Sequence, residues 1–402
     1  MIALLLLACS LPFGGGASQS SAPTAPAAPA DGTAAATTTT TAAVVTPGAA
    51  VDPAAARQAA GTVTPTMAPP PGGLAPARIY ATLVSHNEEV PNPLCTPVVT
   101  DQNAYLQNRA QVIDMAKAVV AHKAAWDMQN EWQFLQAVKS WDTPELKAQT
   151  DNKNLIDWIA HYDPSRIQVD AHTHGKSHSY ADVVKLLEDL GAPRNGVVGG
   201  FIYYPTPSQI WTPLRNDVKG KKYPTASWKP EILWGAATSQ HQGPDMRASG
   251  IWRPKSAEEF TTDDPQQKLV FVGGYQYSPY HDFTGVKELV DRLHAGELQP
   301  GHMYTASVFF HQCSLTASDI SAMMAEIDAL APEVAAGNLV WMTLSPTVET
   351  WRTTYQSVAT KLDPLHDAPM RTGGGMGGPR GGKPGGGAPG GRPRGGGPPV
   401  RP

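Results

Sequence analysis

Three of the chain's twelve histidines fall within seven residues, in the segment Asp170-Ala-His172-Thr-His174-Gly-Lys-Ser-His178. The segment follows the strand-like run Arg166-Ile-Gln-Val169 and precedes the helix-like run from Tyr180 to Leu190. Imidazoles at a strand-to-helix turn can converge on one cation, and histidine with aspartate or glutamate is the donor set that a hydrolytic zinc ion takes. The expected cofactor is therefore Zn²⁺ or another divalent metal. A polar loop with incidental histidines would share this composition, so the reading depends on what else the fold brings to the same place.

The elements that must position these residues alternate. Apolar and β-branched runs at 79–85, 124–128, 166–169, 196–203, 231–234, 268–272, 304–310 and 339–344 read as strands. Helical patterns fill 105–122, 131–138, 154–161, 180–190, 285–294 and 318–330, with Ser318 as an expected N-cap and Gly191 and Gly337 placed where helices stop. Strand-helix alternation with continuous apolar strands predicts an α/β fold built on a mostly parallel sheet, and this many units predict a distorted (β/α) barrel. Such a barrel places chemistry at the C-terminal ends of its strands.

Four clusters meet that condition. Ser85-His86-Asn87-Glu88-Glu89 follows the first strand, the histidine cluster follows the third, Trp252-Arg253-Pro254 lies in the loop after 231–234, and His311 ends the apolar run Ala306-Ser-Val-Phe-Phe310. Each is ordinary alone. Their joint occurrence at strand ends is the signal.

In this order the clusters resemble the motifs of the polysaccharide deacetylase superfamily (NodB-like, carbohydrate esterase family 4). His174-Gly-Lys-Ser-His178 keeps the His-x-x-x-His spacing, with Gly175 where the family has a hydroxyl residue. Trp252-Arg253-Pro254 is similar to the family's Arg-Pro motif and Phe309-Phe310-His311 to its late-strand histidine motif. The family's adjacent aspartates are replaced by Asn87-Glu88-Glu89, preceded by His86. The resemblance implies an irregular (β/α)7-type barrel over residues 79 to about 350, and a metal-dependent deacetylase of N-acetylated envelope or extracellular polysaccharide. It implies metal held by His174, His178 and Glu88, with His172 or His86 as further donors. Glu88, Glu89 or His86 would take the proton of a metal-bound water. His311 would protonate the leaving amine, and Arg253 would orient the base. Tyr203, Trp234 and Trp252, with Tyr204, Trp211 and Trp228, are candidate faces for a sugar ring, and the loop from Tyr275 to His281 is a candidate lid.

Two other readings fit the same residues. Asp170-Ala-His172-Thr-His174 also looks like the Asp-x-His-x-His opening of amidohydrolase and histidinol-phosphatase-type metal sites. A glycan-binding surface lipoprotein without turnover is the third, favoured by the missing aspartate pair.

The two ends of the chain differ from this body. Leu6-Leu7-Ala8-Cys9 resembles a bacterial lipobox, with Cys9 as the lipidated residue, and the apolar run before it is too short to span a bilayer. Residues 1–13 are read as this signal-like segment, and 14–76, rich in Ala, Thr and Pro, as a disordered tether. The barrel is expected over 77–366, followed by a disordered Gly/Pro/Arg tail at 367–402. From Pro369 onward that tail carries Arg371, Arg380, Lys383, Arg392, Arg394 and Arg401 and no acid, so the formal charge of −4 hides a remainder near −10. An acidic body and a tail without interleaved aromatics give no support for specific nucleic-acid binding. The expected location is the bacterial envelope, lipid-anchored, or outside the cell, with polysaccharide or peptidoglycan-like substrate as partner. Cys95 and Cys313, the two cysteines beyond Cys9, are a candidate disulfide pinning the loops after the first strand and the His311 strand.

Overall fold

The computed structural model describes residues 73–88, 100–173, 177–199, 212–235, 247–278 and 280–366. In chain order the elements are β1 (Arg78–Asn87), α1 (Gln102–Ala121), β2 (Trp126–Asn130), α2 (Trp132–Trp141), α3 (Pro144–Lys147), α4 (Leu155–Tyr162), β3 (Ile167–His172) and α5 (Tyr180–Asp189). After β4 (Val197–Gly199) come a small hairpin, β5 (Val218–Lys219) and β6 (Ser227–Trp228), then β7 (Ile232–Gly235), β8 (Ile251–Trp252) and β9 (Val270–Gly273). The chain continues with α6 (Thr284–His294), β10 (Met303–His311), α7 (Ala317–Ala329), α8 (Ala331–Ala335), β11 (Leu339–Trp341) and α9 (Leu344–Thr353). The lipobox-like start and the basic tail lie outside the described residues.

The expected barrel architecture is present. Strands β10-β1-β2-β3-β4-β7-β9 pair in parallel in that order, which makes a distorted (β/α)7-type barrel. Strand β1 is its spine: β10 takes one edge along its whole length, while β11 and β2 share the other, at Ile79–Ala81 and Leu83–Asn87 respectively. The seam between β9 and β10 is closed by other bonds. Ser307 N donates to Gly274 O at 2.7 Å, and Thr305 Oγ1 donates to Gly273 O at 2.7 Å while accepting from Gly250 N at 2.9 Å.

Alternation along each strand sorts the side chains into two cores. Ile79, Ala81 and Leu83 of β1, Trp126 and Met128 of β2, and Val169 of β3 face the surrounding helices. Tyr80 and Val84 face inward with Trp234, Val272 and Phe309, and this inner core is completed by Leu344, Val348, Trp351 and Tyr355 of and just after α9. Helix α9 thus fills the barrel from below: the Tyr355 hydroxyl donates to Pro76 O at 3.0 Å, ahead of β1. Its N-terminus points into the interior, where Leu344 N donates to Asp127 and Ser345 N to Gln168 Oε1, both at 3.2 Å. Free amides and helix dipole both favour acceptors there.

Two local expectations are corrected. Helix α7 is capped by Thr316 in a reciprocal box with Asp319, two residues before Ser318, because Thr316 reaches the N3 amide that Ser318 would miss. The loop after β7 does not carry Trp252-Arg253-Pro254 to the strands' C-terminal face. Instead β8 runs antiparallel to β9, pairing Ile251 with Val272 and Trp252 with Phe271, so Arg253 emerges beside the start of β9.

Candidate metal centre

The polar side chains gather where β1, β2, β3 and β10 end. On β1 the alternation that buries Val84 inward also turns His86 and Glu88 inward, and on β3 it does the same for Asp170 and His172. Register then sets the neighbours: His86 pairs with His311 across β1–β10 and with Gln129 across β1–β2, and His172 pairs with Gly199 across β3–β4.

Glu88 is the hub. Its Oε2 lies 3.0 Å from His172 Nε2, and its Oε1 lies 3.0 Å from His311 Nδ1 and 3.9 Å from His86 Nδ1. The His311 approach lacks the alignment of a hydrogen bond. The His86 and His172 rings stack with centroids 4.0 Å apart. His86, Glu88 and His172 are all buried, and they offer ligand atoms within 4.8 Å of one another, the group among the described residues that could hold a metal ion. The donor set fits: two imidazoles and a carboxylate are the three protein ligands of many hydrolytic zinc sites.

The electrostatics separate the two imidazoles. Burial, then the charge of neighbouring His172, pushes His86 down to about 3 against the pull of Glu88, so it is neutral and has a lone pair to give. Burial also works against charge on His172, but the Glu88 carboxylate, Glu131 and the Gly199 carbonyl outweigh it and leave its pKa raised. His172 and Glu88 thus face each other as an ion pair below that pKa, the state a bound cation would displace.

A second acidic layer lies beneath. Asp127 and Asp170 are fully buried neighbours in the interior. Thr82 Oγ1 donates to Asp127 at 2.8 Å, and Gln168 Nε2 donates to both Asp170 oxygens at 2.8 and 3.0 Å. Burial and mutual repulsion raise Asp127, and burial raises Asp170 to about 7 against its hydrogen bonds.

The remaining sequence candidates are placed as follows. His178 is not in the ligand group. It is buried against Trp132, rings stacked 5.5 Å apart, with Ser177 Oγ 3.4 Å from its Nδ1, and burial lowers its pKa against the pull of Glu131 and Asp182. Arg253 sits at the opposite end of the barrel. It is forked onto Asp263 at 2.9 and 2.7 Å and lies over the Trp351 ring at 5.2 Å, in a cleft shared with Glu231 and Val270 at the strands' N-terminal ends. From there it cannot orient a group at Glu88. Trp252 packs among Phe260 and Phe271 on the helix side of the sheet, and Trp228 is buried with its indole nitrogen on Asn195 O, so neither offers a face to a sugar. Trp234 is in the inner core, 5.9 Å edge-to-face from His86 and buried beneath the centre.

In the lid candidate, the hydroxyls of Tyr275 and Tyr277 are anchored on Glu288, and Tyr280 is the exposed ring, 6.1 Å from His311. Cys313 is disulfide-bonded. Glu89, His174, Tyr203, Tyr204, Trp211, Cys9 and Cys95 lie outside the described residues.

Gln129 and Glu131 are the site residues the sequence reading missed. The signal was there: in Trp126-Asp-Met-Gln-Asn130 every second residue of a fully buried strand is polar, which marks an inward polar face.

No family model matches the chain, and no curated protein does. Among solved structures it is similar to the Puue allantoinase, at 11% identity and a TM-score of 0.41 over 72% of this chain and 95% of that one. A probable polysaccharide deacetylase from Pseudomonas aeruginosa PAO1 aligns at 11% identity and a TM-score of 0.40, over 69% and 91% of the two chains. A branching enzyme from Thermococcus kodakaraensis aligns at 10% identity and a TM-score of 0.36, over 68% and 71%.

Proposed function

We propose that this domain is a metal-dependent hydrolase of the amide bond in N-acetylated sugars, with His86, Glu88 and His172 as metal ligands. The observation that carries the reading is the convergence of those three buried side chains at the C-terminal mouth of a (β/α) barrel, beside His311. Zn²⁺ or another divalent ion bound there would acidify a water and polarise the acetamide carbonyl.

The chain's own residues would do the rest. His311, at the rim beside Glu88, takes the proton that water loses as its oxygen adds to the carbonyl carbon. It returns that proton to the nitrogen as the C–N bond breaks, leaving acetate and a sugar amine. Glu88 is held among three imidazoles at the centre, and the exposed ring of Tyr280 flanks the approach. With the lipobox-like start at Leu6 to Cys9, this reading places the enzyme on the bacterial envelope, facing polysaccharide or peptidoglycan-like substrate.

One observation favours a second reading. His172 stands in the ligand group and His178 does not, which is the arrangement expected of an amidohydrolase-like Asp-x-His-x-His site acting on a different amide. A single assay separates the two. Purified protein is incubated with acetylated chito-oligosaccharide, and with hydantoin-type and linear amides, with and without chelator. Chelator-sensitive amine release from the sugar supports the first reading, and turnover confined to the other amides supports the second. Bound metal with no turnover of either would leave a glycan-binding protein.

A further inference from the structure

We infer that Gln129 is a positioning residue that fixes which ring nitrogen of His86 faces the centre, so that Nδ1 of His86 is presented beside Nε2 of His172. What those nitrogens bind rests on the metal reading above; which nitrogens they are does not.

Each imidazole is gripped from behind. His172 Nδ1 lies 2.7 Å from Gly199 O, and a backbone carbonyl can only accept, so Nδ1 carries a proton and Nε2 is the nitrogen turned to Glu88. In His86 the order is reversed: Nε2 lies 2.8 Å from Gln129 Oε1, and Nδ1 faces Glu88. In its singly protonated form the His86 ring has two acceptors competing for the one proton. The Glu88 carboxylate would draw the proton to Nδ1, which would block that nitrogen as a ligand. The Gln129 amide oxygen, closer by about an ångström (2.8 against 3.9 Å), holds it on Nε2 and leaves the Nδ1 lone pair free.

Two further observations point to Gln129 as placed for this purpose. Its Nε2 is buried without a partner among the described residues. Leaving such a donor unsatisfied is destabilising, which an aliphatic side chain of similar size would avoid. The space its amide occupies also exists only because residue 199 is glycine. A Cβ there would come within 2.8 Å of both Gln129 Cδ and Oε1, and 2.7 Å of Ala171 O. Gly199 therefore serves both rings, through its carbonyl for His172 and through its missing side chain for Gln129.

The test uses the full chain labelled with ¹⁵N-histidine, as wild type, Gln129→Leu and Gln129→Glu, each checked for an intact thermal transition. Long-range ¹H–¹⁵N spectra of the metal-free protein read the tautomer, with His86 assigned from a His86→Gln variant, and titration with Co²⁺ reads affinity and the visible spectrum. The wild type and Gln129→Glu should show His86 protonated on Nε2. Gln129→Leu should move that proton toward Nδ1, remain as stable as the wild type, and lose about 10–100-fold in Co²⁺ affinity. A wild-type His86 protonated on Nδ1, or a Gln129→Leu protein with unchanged tautomer and affinity, overturns the inference. An Nε2-protonated His86 in a protein that takes up no Co²⁺ overturns the metal reading alone and supports the tautomer assignment.

Discussion

Glu88 Oε2 lies 3.0 Å from His172 Nε2, joining the end of the first strand to the end of the third through two buried side chains. The carboxylate raises the pKa of the imidazole and, on its other oxygen, meets His311. Replacing Glu88 by Gln keeps the shape and removes the charge on which three imidazoles converge. Metal affinity should fall by at least about 100-fold, beyond what loss of an outer partner of a ligand does, with chelator-sensitive amine release falling alongside it. Equilibrium dialysis of the variant checks this, and metal retained at wild-type affinity would remove Glu88 from the ligand set.

Arg253→Ala should leave turnover nearly unchanged and reduce stability. The guanidinium makes a forked pair with Asp263 and covers Trp351 at the end of the barrel away from the histidines. Its loss should cost about 1–3 kcal/mol, as for a hydrogen-bonded charged group, read from urea denaturation. A large fall in kcat with unchanged stability would restore the motif to the active site.

That motif shows what could be read from the chain and what could not. Period and composition located β1, β3 and β10, and with them His86, Glu88, His172 and His311, because a strand's alternation fixes which side chains share a face. The direction of β8 was hidden: two paired residues, Ile251 and Trp252, leave no periodic signal, yet they carry Arg253 to the wrong end. The choice between His172 and His178 depended on whether the strand continued through His172, which it does, so His172 enters the barrel while His178 packs on Trp132. Gln129 was missed because the second strand was ended at Met128, two residues too early.

The contribution of the buried aspartates to stability should fall as pH rises through the carboxylate-to-neutral range. Asp170 has a folded pKa of about 7 against an ordinary 3.8, and Asp127 is raised as well. Between those values the folded protein holds more protons than the unfolded chain, so the stabilisation present at the acid end is lost toward neutrality. The urea midpoint of the metal-free protein, taken relative to that of Asp170→Asn, should be higher at about pH 5 than at about pH 7.5, because the lowered histidines His86 and His178 act in the opposite sense in both proteins. An unchanged slope in that variant would show that the pair does not share a proton.

The barrel seam offers a test of the fold itself. Thr305→Val removes the hydroxyl that bridges Gly273 O and Gly250 N, leaving both buried groups without that partner. The expected loss is about 1–3 kcal/mol, measured as a shift in denaturation midpoint at constant slope. A neutral substitution would mean that Ser307 and Ser249 close the seam by themselves.

The central claim is that the metal is held by His172 with His86 and Glu88, and metal content per chain tests it most directly. Elemental analysis of wild type, His172→Gln and His178→Gln, purified identically and shown to be folded, should give about one metal per chain in the wild type and in His178→Gln, the stoichiometry of a single three-ligand site, and none in His172→Gln. Metal lost from His178→Gln and kept by His172→Gln would contradict the account.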